Sequence, residues 1–236
     1  MIPVNRTKGD YISVVIPALN EGRNMRRVLE GVKAILGVSD YEIIVVDGHS
    51  TDNTVKIAKE NGAKVIYDDV GKGSALIMGL KAGKGNILVA MDADLSTDPK
   101  EMGLLIDGIK IGYDVCMGSR FMAGGSSEDI SPIRKIGNMF FVLLVNHLFG
   151  SNYSDMCYGY RSFKKSILKK LNLKETGFGI ETEISIKAVK NNLKVLEVPS
   201  IEKKRVAGES KLRTFKDGYV ILRTIIKNLG SSNPSS

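Results

Sequence analysis

The sequence predicts an α/β fold in which a mostly parallel sheet is flanked by helices and followed by C-terminal amphipathic helices. Short runs rich in Val and Ile alternate with longer helical segments through the first half of the chain. Several of these runs end abruptly in polar or acidic residues, as buried strands do at a sheet edge. Near the C-terminus, apolar residues recur at helical spacing over residues 215–229. Alternating strands and helices of this kind are typical of a parallel sheet covered on both faces.

The first half of the chain contains five predicted strands and four predicted helices. Branched residues mark the strands, and we expect Pro17 to end the first of them. The predicted strands are residues 11–16, 42–46, 64–67, 87–91 and 115–118. The predicted helices are residues 23–36, 52–61, 71–82 and 99–111. Gly62 is expected to end the second helix in a left-handed conformation.

The second half of the chain has a less regular pattern. A Gly- and Ser-rich segment, residues 122–129, predicts a mobile loop. The segments 195–198 and 201–204 are interpreted as a hairpin or as two edge strands. The remaining predictions are a helix at 132–149, a strand at 158–163, and helices at 164–171, 180–191 and 215–229.

Length and composition indicate a globular protein with an anionic partner. The chain has 236 residues, and we expect one domain over residues 1–230, followed by a disordered polar tail at 231–236. The net charge of +8 favours a nucleic acid, nucleotide phosphates or an acidic membrane surface. Aromatic residues make up only 6% of the chain and no nucleic-acid-binding motif is present, which argues against base stacking. The N-terminus lacks the apolar core of a signal peptide, and no window is long enough to span a membrane.

The segment ILVAMDADLSTDP, residues 87–99, places two carboxylates at the end of a buried strand. Asp92 and Asp94 can point the same way, because side chains alternate along a strand. Two neighbouring acids repel each other unless a cation lies between them, and hard oxygen ligands suit Mg²⁺ or Mn²⁺ together with phosphate oxygens. The alternative interpretation is a pair of acids in a solvated turn.

Other polar residues are predicted at the same edge of the sheet. They follow the strands or begin the next helix, and ligands bind parallel sheets at this edge. With the two acids they form the kind of polar cluster that a nucleotide diphosphate requires. The cluster consists of Asn20, Glu21, Asp47, Lys72, Asp92, Asp94 and Arg120.

Several motifs, taken together and in order, resemble the inverting glycosyltransferases of family two, which have the GT-A (Rossmann-like) fold. In the first half these are VVIPALNE (14–21), VVDGHSTDNT (45–54), GKGSAL (71–76) and MDADLSTDP (91–99). In the second half, the motifs resemble those of the polyprenyl-phosphate sugar transferases, of which dolichol-phosphate mannose synthase is the best-known type. These are GSRF (118–121), SPIRKIGN (131–138), SDMCYGYRSF (154–163) and RVAGESKL (205–212).

The resemblance implies a role for each matching residue. The nucleotide part of the donor would contact Pro17, Ala18, Asn20, Glu21, Asp47, Lys72 and Asp92. The metal ion on the donor diphosphate would be held by Asp92 and Asp94. The catalytic residues would be Asp155, Asp94 and Arg120. The phosphate groups, including that of the acceptor, would contact Arg120, Arg134, Arg205, Ser210 and Lys211.

Three details of the predicted site remain open from the sequence. A lipid phosphate is largely ionised at neutral pH, since its second pKa is about 6, so Asp155 is either a positioning group or an optional base. Ser96 stands where some relatives carry Gln, so water and diphosphate oxygens would complete the metal shell. Glu181 and Glu183 match an acidic position of the family or are surface residues of a helix.

Two helices are candidates for contact with a membrane. The second half of the helix at 132–149 is apolar on nearly all sides, and the helix at 215–229 combines an apolar stripe with basic residues. Such helices either pack against the core or dock on an anionic bilayer surface. A polyprenyl acceptor stays in the bilayer, so we expect a cytoplasmic protein bound peripherally to the cytoplasmic face of the membrane.

The resemblance therefore implies transfer of a sugar, with inversion, from GDP-mannose or a UDP-sugar to a polyprenyl (dolichyl or undecaprenyl) phosphate. The expected partners are the nucleotide-sugar donor, the polyprenyl phosphate and the anionic membrane surface, with Mg²⁺ or Mn²⁺ as cofactor. Two alternatives remain open: a transferase of the same fold that adds sugar to a glycan, and a non-catalytic protein that binds nucleotide-sugars.

Overall fold

The computed structural model describes residues 9–37, 39–205 and 214–230. The strands are β1 (Tyr11–Ala18), β2 (Asp40–Asp47), β3 (Lys64–Tyr67), β4 (Ile87–Ala90), β5 (Val115–Ser119), β6 (Ser126–Ser127), β7 (Arg161–Lys164), β8 (Val195–Pro199) and β9 (Ile201–Glu202). The helices are α1 (Gly22–Leu36), α2 (Thr54–Glu60), α3 (Lys72–Ala82), α4 (Met102–Lys110), α5 (Pro132–Phe149), α6 (Leu168–Leu171), α7 (Ile180–Lys190) and α8 (Thr214–Leu229). Short 3₁₀ turns precede α4 and α6.

Seven of the strands form one sheet in the order β3-β2-β1-β4-β7-β5-β8. All neighbours are parallel except β7, which runs antiparallel to both β4 and β5. The chain order reverses between β1 and β4, and ligands bind parallel sheets at such a reversal, beyond the carboxyl ends of the strands. The predicted mostly parallel sheet flanked by helices is confirmed.

Apolar side chains fill both faces of the sheet. One core joins the strands to α1, α2 and α4, and the other joins them to α3, α6 and α7. In β1, Ile12, Val14 and Ile16 belong to the first core and Val15 to the second, as the alternation of a strand requires. Helix α3 lies close to the sheet because residue 79 is Gly: a Cβ there would lie 2.2 Å from the Val15 side chain.

A third apolar cluster lies under α5 and α8. It joins Val142 and Val145 of α5 to Ile221 and Ile225 of α8, with Ile186 of α7 between them. The two helices therefore bury one face each and keep the other exposed. No helix within the described ranges is long and apolar enough to cross a membrane.

Two local predictions are wrong. Pro17 does not end β1: pairing with β2 continues through Pro17 and Ala18, whereas pairing with β4 has ended at Val15. The segment 122–129 is not entirely a loop, since it contains β6, which pairs with β9.

Of the two interpretations of residues 195–204, the structure has two edge strands and not a hairpin. The strand β8 joins the edge of the main sheet beside β5, and β9 joins β6. The predicted strand at 158–163 is shorter and shifted, since β7 covers Arg161–Lys164. The predicted tail at 231–236 lies outside the described residues.

Candidate active site

A cavity of about 570 Å³ opens at the carboxyl edge of β1, β2 and β4, within the size range of small-molecule sites. It continues across the start of α3 and between α5 and α8. The cavity brings together residues predicted from widely separated motifs. Among the predicted residues, Pro17, Ala18, Glu21, Lys72, Asp92, Asp94, Arg120, Arg134 and Arg205 line it.

Three predicted residues do not line the cavity and instead support the loops around it. Asn20 accepts a hydrogen bond from the Thr51 N–H (2.8 Å), which ties the loop after β1 to the loop after β2. Asp47 is fully buried, and its carboxylate accepts hydrogen bonds from the backbone and hydroxyl of Ser50 (2.8 and 2.5 Å). Asp155 is also fully buried. The predicted residues Ser210 and Lys211 lie outside the described ranges.

The acids after β4 each hold a cation supplied by the protein. Lys72 Nζ lies 3.0 Å from Asp92 Oδ1, and Arg205 Nε lies 3.3 Å from Asp94 Oδ2. Both cations also contact a second acid, Glu181 for Lys72 and Asp129 for Arg205. Although burial opposes it, these carboxylates raise the pKa of both cations, so both stay charged. The repulsion expected between the paired acids is thus offset from within the chain.

The donor atoms at these acids fit a hard divalent cation that is shared with a substrate. Asp92 and Asp94 offer carboxylate oxygens to the cavity, and the Asp94 carboxylate also accepts the Ser96 N–H (3.0 Å). Within the described part of the chain, no group of three His, Cys, Asp or Glu side chains could hold a metal alone. Two carboxylates completed by water and phosphate oxygens form the coordination shell that Mg²⁺ and Mn²⁺ accept.

A buried ion-pair network holds Arg120 at the cavity wall. Its guanidinium donates to both oxygens of Asp155 (2.7 and 3.0 Å) and lies 3.2 Å from Glu202 on β9. Despite the opposing effect of burial, Asp155 and Glu202 raise the pKa of Arg120. Glu202 is itself held by the Ser127 hydroxyl of β6. The small β6–β9 sheet therefore helps to fix the orientation of Arg120.

The loop that carries Asp155 is supported from beneath by a second buried arginine, Arg161 of β7. Its guanidinium donates to the carbonyl oxygens of Met156 (2.8 Å), Tyr158 (3.0 Å) and Glu181 (2.9 Å). Burial lowers its pKa. Arg161 was not among the predicted site residues, and its signal in the sequence is a charge inside a predicted strand.

Asn138 also lines the cavity and was not among the predicted site residues. Its Oδ1 accepts the N–H groups of Met156 (3.4 Å) and Cys157 (3.2 Å). Its Nδ2 is buried at the cavity and has no hydrogen-bond partner among the residues that the structure describes. Arg134 lies four residues earlier on α5, which puts both on one helix face. That spacing was the signal that could have identified Asn138.

Asp68 and Asp69 also line the cavity, beside the end of β2, and were not predicted. Asp68 accepts hydrogen bonds from the Val70 and Gly71 N–H groups and from the Ser74 hydroxyl, at 3.1, 3.0 and 2.6 Å. These two acids follow β3 directly. Their position at the end of a strand was the signal in the sequence.

The far end of the cavity is apolar and lies between α5 and α8. Ile133, Phe141 and Ile221 line it, together with Gly137 and Gly218. A Cβ at Gly137 would meet nothing within 4 Å, and one at Gly218 would meet only the Phe141 ring at 3.9 Å. The two glycines therefore leave open space between the helices. We call this space, lined by these five residues, the α5–α8 groove.

The chain is similar to known glycosyltransferases over most of its length. A family model described as glycosyl transferase family 2 matches residues 13–172. A dolichol-phosphate mannosyltransferase from Pyrococcus furiosus is 35% identical over 210 residues, which are 86% of this chain and 59% of that protein. The chain thus spans less than two thirds of that relative. A dolichyl-phosphate hexose transferase from Haloferax volcanii is 30% identical, with 92% of this chain and 93% of that protein covered.

Solved structures share the fold. Glucosyl-3-phosphoglycerate synthase from Mycobacterium tuberculosis, in complex with Mn²⁺, UDP and glucosyl-3-phosphoglycerate, matches with a TM-score of 0.75 and 22% identity. The match covers 96% of this chain and 82% of that one. The resemblance in the sequence motifs is confirmed: the chain belongs to glycosyl transferase family 2.

Proposed function

We propose that this protein transfers a sugar, with inversion, from a nucleotide-sugar to a polyprenyl phosphate at a membrane surface. The observation that carries the proposal is the composition of one cavity. Paired carboxylates, three arginines and an apolar groove all line it. The carboxylates suit the metal ion of a nucleotide-sugar, the arginines suit the phosphate of an acceptor, and the apolar groove suits a polyprenyl chain. The names of the P. furiosus and H. volcanii relatives agree with this chemistry.

The donor would occupy the end of the cavity nearest β1, β2 and β3. Pro17, Ala18 and Glu21 would contact the nucleoside, with Asp68 and Asp69 beside them. Asp92 and Asp94 would hold a divalent cation, which neutralises charge on the departing nucleoside diphosphate. Lys72 would add a second positive charge next to the same diphosphate.

The acceptor phosphate would bind among Arg120, Arg134 and Asn138. Arg120 and Arg134 supply charge, and the unpartnered Asn138 Nδ2 supplies a hydrogen-bond donor. An oxygen of the acceptor phosphate would attack the anomeric carbon of the sugar. The bond between that carbon and the diphosphate oxygen would break at the same time, so the configuration at the carbon inverts. A phosphate monoester needs little deprotonation, because its second pKa is about 6. Asp155 accordingly positions Arg120.

The lipid chain would leave through the α5–α8 groove toward a bilayer. Exposed apolar side chains on α5 recur at helical spacing, among them Ile136, Phe140 and Leu143. Exposed Phe215 and Tyr219 lie on α8 together with basic residues. An apolar helix face with basic neighbours favours binding to an anionic surface. We infer peripheral binding at the cytoplasmic face.

Transfer would be tested with purified protein, Mn²⁺ or Mg²⁺, a short polyprenyl phosphate, and GDP-mannose or UDP-glucose in turn. Mass spectrometry would detect the lipid-phosphate sugar, and NMR would give its anomeric configuration. We expect one donor to be used with inversion, and Asp94→Asn to lower turnover about a hundredfold or more. Absence of lipid product with every donor, or full activity of Asp94→Asn, would refute the proposal.

Asn138→Asp separates acceptor binding from donor binding. The new carboxylate can still accept the two backbone N–H groups, but it presents a negative charge where Asn138 presents an amide. We expect the KM for the lipid phosphate to rise about tenfold or more, with nucleotide binding unchanged. An unchanged acceptor KM would place the acceptor elsewhere.

A further inference from the structure

Lys72 is shared between two carboxylates at the floor of the cavity. Its Nζ contacts both oxygens of Asp92, at 3.0 and 3.3 Å, and Oε1 of Glu181 at 3.1 Å. The two acids come from different elements, since Asp92 follows β4 and Glu181 lies in the first turn of α7. One ammonium group thus joins two parts of the fold.

The backbone fixes the start of α3 against the segment that leads into α7. A Cβ at Gly73 would lie only 2.4 Å from the Glu175 carbonyl oxygen, so only glycine allows this close approach. The Ser74 N–H also donates to the Thr176 carbonyl (3.1 Å). Lys72 and Glu181 are therefore held near each other whatever occupies Asp92.

The two acids differ in how easily they exchange partners. The Glu181 side chain is only 5% exposed, against 29% for Asp92. Apart from Lys72, Glu181 Oε1 has no hydrogen-bond partner in the described part of the chain. Leaving a buried carboxylate unpaired is costly, so the Lys72–Glu181 pair is the one that persists. Asp92 reaches solvent, so it is the acid at which another cation can replace Lys72.

Gly159 leaves the ion-pair cluster open to the cavity. A Cβ there would lie 3.2 Å from Asp92 Oδ2, 3.4 Å from Lys72 Nζ and 3.5 Å from Glu181 Oε1. A larger residue would cover all three groups. Because the position is glycine, ions and substrate phosphates can reach the ammonium directly.

We propose that Lys72 is the counter-ion of Asp92 until a divalent cation binds there, and that Glu181 is the positioning residue that keeps the released ammonium in the cavity. A divalent cation and an ammonium group repel each other strongly at one carboxylate. Lys72 then turns from Asp92 to the diphosphate of the donor, still paired with Glu181. The inference rests on the proposed function, because it takes Asp92 to be a metal-binding residue.

The test measures Mn²⁺ binding to the full chain without nucleotide, from the paramagnetic resonance signal of free Mn²⁺. Removing a competing cation should strengthen binding, so we expect Lys72→Met to bind Mn²⁺ about tenfold more tightly. Lys203→Met is the matched control: Lys203 pairs with Asp98 at 2.7 Å in the same loop, but not with Asp92. Unchanged or weaker binding by Lys72→Met would overturn the proposal.

A double-mutant cycle tests the role of Glu181. Glu181→Gln should weaken Mn²⁺ binding several-fold, since the displaced ammonium then loses its remaining partner. Its effect should largely disappear when Lys72 is already Met, because contacting residues act non-additively. If Glu181→Gln weakens Mn²⁺ binding equally with Lys72 and with Met at position 72, Glu181 acts on the ion only through its charge. That result would overturn the positioning role.

Two further variants keep the outcome interpretable. Lys72→Gln, a neutral residue that can still donate to Glu181, repeats the first test if Lys72→Met unfolds. Asp92→Asn reports on the metal site itself. If it leaves Mn²⁺ binding unchanged, both the metal site and the inference fail. If it abolishes binding but the Lys72 variants match the unmodified protein, only the inference fails.

Discussion

Asp155 shows how the surroundings of one residue determine which chemistry it can perform. It accepts two guanidinium hydrogen bonds from Arg120 and the backbone N–H groups of Arg120 and Cys157, both at 3.2 Å. The carboxylate has no exposed surface and does not line the cavity, so its contacts are with Arg120 and the backbone. The sequence motif identified the residue, but only the structure shows where its oxygens point.

We predict that Asp155→Asn weakens acceptor binding without changing the shape of the pH–rate profile. The amide keeps the size of the side chain but loses the charge that orients Arg120, so the KM for the lipid phosphate should rise about tenfold. Steady-state kinetics between pH 6 and about pH 9 would measure both quantities. Arg120→Lys cannot make the bidentate contact with Asp155, so it should also raise the KM for the lipid phosphate.

The opposite result would assign a different role to Asp155. A fall in kcat of about a hundredfold at constant acceptor KM, with loss of one limb of the pH–rate profile, would identify Asp155 as a general base. The protein's thermal stability should be followed in parallel, because a buried arginine loses its ionic partner in this variant.

At the scale of single elements, the loop between β3 and α3 depends on one carboxylate. Asp68 accepts three hydrogen bonds from residues of this loop and of α3. Although burial opposes the effect, these bonds hold the pKa of Asp68 below its usual value. The folded protein therefore prefers the ionised form. The resulting stability is present at neutral pH and is lost as the pH falls through the folded-state pKa.

We predict that Asp68→Asn lowers the melting temperature at pH 7 and makes it less sensitive to acid. Between about pH 5 and about pH 3, the unmodified protein should lose more stability than the variant, because only the former has this carboxylate to protonate. Thermal unfolding followed by circular dichroism would measure both. Asp69→Asn is the control, because it removes an equal charge from the exposed neighbouring position. If the melting temperature of Asp68→Asn falls as steeply with decreasing pH as that of the unmodified protein, the prediction is contradicted.

Elements with a clear hydrophobic pattern could be predicted from the sequence. Very short strands, which exist only through a few hydrogen-bonded pairs with a distant segment, could not. Helix α5 and strand β3 have the predicted bounds, because their apolar periodicity and the Pro or Gly beside them mark the ends. Strands β6 and β9 have two residues each, too few to show any alternation. Their pairing was visible only in the tertiary structure.

The candidate site divides in a similar way. Residues directly after strands, such as Asp92 and Lys72, were predicted because every parallel strand ends at the same edge. Asn138 and Arg161 were missed because their roles depend on contacts with the loop after Asp155, which no local pattern specifies. The burial of Asp47 likewise depends on Ser50 folding back over it.

At the scale of the whole molecule, the exposed apolar faces of α5 and α8 distinguish one side of the protein. Ile136 and Leu143 are 68% and 69% exposed on α5, and Phe215 is 83% exposed on α8. Lys216, Arg223 and Lys227 of α8 are exposed as well. Apolar residues beside basic ones are expected to bind anionic lipid by two additive contributions, of which only the electrostatic one is screened by salt.

We predict that the protein floats with anionic liposomes at low salt and that about 0.5 M salt weakens this binding. At that salt concentration the Debye length is about 4 Å, so the charges on the basic side chains are screened. The double variant Ile136→Ser/Leu143→Ser should lose most of the binding while keeping its melting temperature, since both side chains are exposed. Ile111→Ser is the matched control, because Ile111 is 73% exposed at the end of α4. Equal loss in the control, or a protein that stays in the aqueous fraction, would contradict the prediction.

The antiparallel strand β7 has a consequence for how the chain is made. It lies between β4 and β5, although both of those strands leave the ribosome before it does. Until Lys164 has been synthesised, β4 and β5 have no shared neighbour to join them, and the sheet remains in two pieces. Because Arg161 lies on this same strand, the strand that closes the sheet also supports the loop that carries Asp155.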